Sequence, residues 1–110
     1  MPQALIHLVL LRFRVDITDV EITSIFNELR VLTRQIGGIS NFVAGSNCSP
    51  EGFSQNFNHA FIMKFKSEAD RDTYLVHPKH QKLAAKLIDS LEDGPKGLLV
   101  IDISEGLNVD

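Results

Sequence analysis

The chain has 110 residues, 44% of them hydrophobic and 23% charged, the make-up of one ordinary globular domain long enough to bury its own core. Lys and Arg number 11 against 14 Asp and Glu, a formal charge of −3, and the basic residues are scattered, so neither nucleic acid nor an anionic membrane is an expected partner. Cys48 is the single cysteine, which excludes an internal disulfide and fits a reducing cytoplasm.

The opening apolar run "ALIHLVLL" is broken by a histidine and is too short to cross a bilayer. It lacks a basic flank before it and a small-residue cleavage site after it, so no membrane or secretory address is expected. Residues 4 to 14 read instead as a strand. Leu5, His7, Val9, Leu11 and Phe13 point one way, and Ile6, Leu8 and Leu10 point the other. A strand apolar on both sides is covered on both sides. Helices of the same chain cover one face, and in so small a domain a partner subunit is the natural cover for the second. The expected partner is a second copy, met through Ile6, Leu8 and Leu10.

A helix follows. Thr18 and Glu21 form a capping box flanked by Ile17 and Ile22 as a hydrophobic staple. Ile22, Ile25, Phe26, Leu29, Leu32 and Ile36 recur at helical spacing as one stripe, and Gly37-Gly38 is expected to end it as an αL cap. Residues 39 to 46, "ISNFVAGS", read as a second strand, and the loop "NCSPEGFSQN" turns at Ser-Pro-Glu-Gly. The third strand, 57 to 66, alternates: Phe57, His59, Phe61, Met63 and Phe65 on one side, Asn58, Ala60, Ile62 and Lys64 on the other. Ser67 with Asp70 caps a short helix reaching Val76. The turn "EDGP" leads to a fourth strand, 97 to 103, "GLLVIDI". The order strand, helix, strand, strand, helices, strand is the split βαβ plan of the α+β class: a ferredoxin-like, four-stranded antiparallel sheet with helices on one face, forming one domain over 1–110.

The segment "HPKH" at 77 to 80 carries the chemistry. Pro78 disfavours helical geometry at His77 and suits the first position of a new helix, which makes His77 its cap. His80, Leu83, Ala84, Leu87, Ile88 and Leu91 then share one stripe, so His80 points inward. His7 and His59 lie on strand faces shared with large apolar residues, and Tyr74 is close in sequence. A single inward histidine is ordinarily a hydrogen-bonded core residue. Several together cost free energy unless each is paired or solvated, and they read as a polar-tipped apolar cavity. Three histidines could hold zinc with one open position, but the spacing matches no zinc pattern and no Asp or Glu falls on the inferred inner faces. No metal and no cofactor are expected. Cys48 has no Lys, Arg or His nearby in sequence to activate it.

The stretches "IHLVLLRF", "GSNCSPEG…FNHAFIMKF", "DRDTYLVHPKHQ" and "LLVIDI" together resemble the stress-responsive α/β-barrel (Dabb) family over nearly the whole chain. The resemblance implies a ferredoxin-like protomer whose sheet packs on that of a second subunit, a dimeric α/β barrel. That family includes plant stress-induced proteins, bacterial members without an assigned reaction, and a plant polyketide cyclase that closes a linear poly-β-ketone by intramolecular aldol condensation. By resemblance the cyclase's catalytic tyrosine and histidine fall at Tyr74 and His80, and its other pocket histidines at His7 and His59. Ile25, Leu29 and Leu83 stand where the cyclase has aromatic side chains, so its particular substrate is not expected here.

The ligand-binding residues expected on these grounds are His7, Val9, Leu11, Ile25, Phe26, Leu29, His59, Phe61, Tyr74, His80 and Leu83. Two readings follow. One is a non-catalytic homodimer holding a small hydrophobic molecule in each subunit. The other is a cofactor-free enzyme on a carbonyl substrate, a cyclase or isomerase, with His80 as general base and Tyr74 donating a hydrogen bond to the developing enolate.

Overall fold

In the computed structural model, which describes residues 3–105, the two-sided opening segment becomes the strand that joins the two halves of the sheet. The elements in chain order are β1 (Leu5–Leu11), α1 (Asp19–Gln35), β2 (Ile39–Ser46), β3 (His59–Phe65), α2 (Glu68–Val76), α3 (Pro78–Asp89) and β4 (Leu98–Ser104), with one 3-10 turn at Gly94–Gly97. The sheet order is β2-β3-β1-β4, antiparallel throughout. Helix α1 carries the chain from β1 to β2 with β3 between them, which is the split βαβ arrangement.

The local signals act as their chemistry requires. Thr18 accepts the N–H of Glu21 at 3.1 Å while Glu21 accepts that of Thr18 at 3.0 Å, so the capping box is reciprocal. At the other end the outcome differs from expectation: Ile36 is the C-cap in extended geometry, and the left-handed residue is Gly38, at φ +82°. Its lack of a side chain admits Asp70, whose carboxyl carbon lies 2.4 Å from where a Cβ would stand. One face of the sheet and the apolar stripes of the helices form a single core holding Val9, Leu11, Phe13, Ile25, Phe26, Leu29, Phe61, Phe65 and Leu83 among others.

Both strands with the longest expected limits are shorter than read from sequence. Beyond Leu11 the chain leaves the β3 ladder: Arg12 donates to Gly97 O at 2.8 Å and accepts from Glu92 at 2.7 Å. Asn58 precedes β3, which begins at His59. Its amide pairs with the backbone of Phe13, accepting at 3.0 Å and donating at 3.2 Å. Phe57 also lies before β3 rather than within it, with the Arg12 guanidinium over its ring at 5.2 Å from the centroid.

Among the described residues no helix covers the opposite face of the sheet. There Ile6, Leu8 and Leu10 align with Ala60 and Ile62 of β3 and with Leu99, Ile101 and Ile103 of β4. The three β4 residues are 40%, 45% and 47% exposed, an apolar patch of the sort that marks an interaction surface. Among the described residues no helix is long and apolar enough to cross a membrane.

Candidate functional site

The site is assembled where β1, β4, α2 and the start of α3 meet. His7 stands on the helix-facing side of β1, and the register places Asp102 of β4 directly beside it. His7 Nδ1 lies 2.6 Å from Asp102 Oδ1, and Asp102 Oδ2 accepts from Arg71 Nη1 at 3.3 Å. The expectation that no carboxylate falls on the inner faces is therefore wrong. The signal was the parity of "LLVIDI": Leu98, Val100 and Asp102 share a side, and antiparallel pairing sets that side level with His7.

Tyr74, on α2, is 1% exposed. Its ring centroid is 4.2 Å from that of His80, 5.2 Å from Phe65 and 6.2 Å from His7. Burial pushes the Tyr74 phenol far above its ordinary value, so it stays protonated. His80 sits in the first turn of α3, after the break that Pro78 imposes, and its Nδ1 lies 3.2 Å from Leu75 O. Burial lowers the His80 pKa, offset in part by that hydrogen bond and reinforced by His7 and His77.

The ring nitrogens sort themselves by partner. A carbonyl or carboxylate oxygen only accepts, so a neutral imidazole facing one carries its proton there. His7, His59 and His80 all turn Nδ1 to such an oxygen, that of Asp102, Asn58 (2.8 Å) and Leu75 respectively. Each neutral ring then keeps its lone pair on Nε2. His77 is the reverse: its Nδ1 accepts the N–H of Lys79 at 3.1 Å, capping α3 as expected.

Not all the expected residues come together. His7, Tyr74 and His80 form one cluster. His59 lies opposite Leu11, four positions along from His7, or about 13 Å down the strand. It packs against Phe13 and Phe26, at 5.1 and 6.1 Å between centroids, and burial lowers its pKa while Asp19 raises it. Phe61 stands between the two ends, with His7 at 6.4 Å and Phe26 at 6.5 Å. Val9, Leu11, Ile25, Leu29 and Leu83 are in the core around this row. Among the described residues no cluster of three metal-ligating side chains occurs.

A groove of about 1170 Å³ lies elsewhere, between α1 and α3, lined by Val31, Leu32, Lys82 and Leu83 and crossed by the ion pair of Lys86 with Glu28 at 3.0 Å. It meets the expected set only at Leu83. Its charged groups are solvated, whereas buried polar groups converge at Tyr74, and that convergence is the better mark of a site.

Comparison with known proteins agrees with this architecture. Residues 5–105 match the stress responsive A/B barrel domain, Dabb. A dimeric ferredoxin-like protein of unknown function from Jannaschia sp. CCS1 is 31% identical, over 91% of this chain and 97% of that one, with a TM-score of 0.84. A protein of Arabidopsis thaliana is 25% identical, over 96% and 98% of the two chains, with a TM-score of 0.85. The hydroxynitrile lyase of Passiflora edulis is 19% identical over all of both chains, with a TM-score of 0.87, a likeness of fold alone. No curated protein matches the sequence.

Proposed function

This chain belongs to the stress responsive A/B barrel (Dabb) family, and on that footing we propose that it acts as a homodimer in which each protomer receives a small hydrophobic molecule, bearing a carbonyl, at the Tyr74–His80 pair. The observation that carries this is the Tyr74–His80 contact: a phenol held protonated by burial, its ring centroid 4.2 Å from that of an imidazole whose Nδ1 is turned to Leu75 O. A ligand's carbonyl oxygen would accept from the protonated Tyr74 hydroxyl. The homodimer is supported by the open apolar face of the sheet and by the dimeric relative from Jannaschia sp. CCS1.

The second reading, acid–base catalysis, is favoured by the protonation states. His80 is neutral near pH 7, because burial lowers its pKa, and its proton sits toward Leu75 O, leaving Nε2 basic. Tyr74 is held protonated. A ketone with its oxygen on Tyr74 and its α-carbon over His80 would lose a proton to Nε2 as the enolate oxygen gains the Tyr74 hydrogen bond. An isomerase or an aldol cyclase begins with that step.

Mass spectrometry of a solvent extract of gently purified protein tests the binding reading. Wild type is expected to yield a small molecule that His80→Ala lacks while remaining a dimer by light scattering. An extract unchanged by His80→Ala counts against the site. Deuterium uptake at the methyl group of acetophenone tests the second reading: acceleration by wild type and none by His80→Ala or Tyr74→Phe is expected.

A further inference from the structure

Arg71, Asp102 and His7 form a line from the outer turn of α2 to the inner side of β1, and both carboxylate oxygens of Asp102 are engaged. The His7 and Asp102 side chains are 6% and 24% exposed, so their short contact is shielded from competing water. Arg71 lies one turn before Tyr74 on α2, so the pair that holds Asp102 also ties the helix carrying Tyr74 to the edge strand β4.

We propose that Arg71 and Asp102 are positioning residues of this site: they hold the His7 proton on Nδ1, so that Nε2 of His7 joins Nε2 of His80 as a second hydrogen-bond acceptor, and the site takes a neutral molecule with an O–H to donate, an enol or a hydroxylated ring. This rests on the ligand reading above and narrows it. Tyr74 supplies a donor for a carbonyl, and Nε2 of each neutral ring, its proton held on Nδ1, supplies an acceptor. A carboxylate there would meet lone pairs rather than donors, while the Arg71 charge is already committed to Asp102 and to Asp72. Fixing a ring through the hydrogen bond of its other nitrogen is the general way proteins choose an imidazole tautomer.

Long-range 1H–15N spectra at about pH 8.5, two units above the ordinary imidazole value, read the proton position directly. Wild-type His7 is expected to be protonated on Nδ1. In Asp102→Asn the amide must turn its oxygen toward Arg71 and its NH2 toward His7, so the proton is expected on Nε2; Asp102→Ala should populate both forms. A wild-type His7 protonated on Nε2 overturns the proposal without any variant, as does a tautomer unchanged in both substitutions. The ligand class is read separately by titrating wild type with 4-hydroxyacetophenone and with acetophenone. The hydroxylated probe is expected to bind about three- to tenfold tighter, the worth of one net hydrogen bond, and equal affinities overturn the ligand class. If neither probe binds while the tautomers behave as stated, the ligand reading falls and the Arg71–Asp102 relay stands.

Discussion

His77 and His80 are three residues apart and do opposite things, because Pro78 ends one helix and begins another between them. His77 accepts a backbone N–H at the N-terminus of α3, and His80 donates to a carbonyl of α2. Asparagine can make the same cap, so His77→Asn is expected to leave the urea unfolding free energy within a few tenths of a kcal/mol, and His77→Ala to lose about 1 kcal/mol. The buried rings also predict a pH dependence. Burial lowers the folded-state pKa of both His80 and His59, so below the ordinary value near 6.5 the unfolded chain binds protons that the folded chain refuses. Stability is then present above about pH 6.5 and declines as the pH falls toward the folded-state values. Urea midpoints between pH 5 and 8 should show this slope, and His80→Gln should flatten it; an equal slope in that variant contradicts the assignment. The cap, the inward turn of His80 and its nearness to Tyr74 were legible from the proline and the helical spacing. Asp102 and Arg71 were not, because a partner across a sheet is visible only once register is assigned.

At the scale of elements, the chain between β1 and β4 is set by backbone contacts that a side chain would disturb. A Cβ on Gly97 would lie 2.5 Å from Glu92 O and 3.2 Å from Arg12 O, and Gly97 O itself accepts from Arg12. The Arg12 carbonyl cannot give way without breaking its bond from Glu92 N, which pins the end of β1. Gly97→Ala is expected to cost about 1–3 kcal/mol, whereas Gly45→Ala, with nothing within 4 Å, should leave the melting temperature nearly unchanged. A Gly97→Ala protein as stable as wild type would show that this corner is softer than its contacts imply. Helix α1 and strand β2 were readable to within a residue, since a reciprocal capping box and a clean stripe are local signals. The start of β3 was not: Asn58 still donates to Leu11 O as a strand residue would, but its side chain folds back on Phe13, a choice made by a distant backbone.

At the scale of the whole molecule, the central question is what covers the bare side of the sheet. Sequence alone pointed to this face, because alternate positions of β1 are apolar on both sides, and the register extends the patch across β3 and β4. At about 25 cal/mol per Å² of apolar surface removed from water, a second copy laid on this face is strongly favoured. Leu8→Glu places a charge in the middle of the patch and is expected to give monomer or aggregate at concentrations where wild type is a dimer by light scattering; a well-folded Leu8→Glu dimer would place the contact elsewhere. In the proposed dimer each protomer would keep the Tyr74–His80 pair on the helix side, away from that contact. NMR titration of the wild-type dimer and of His80→Ala with acetophenone tests this arrangement most directly. Shifts concentrated at Tyr74, His80 and His7, and lost in a His80→Ala protein that remains dimeric, are expected; shifts concentrated at Val31 and Lys82 along the α1–α3 groove, or undiminished by His80→Ala, would contradict it.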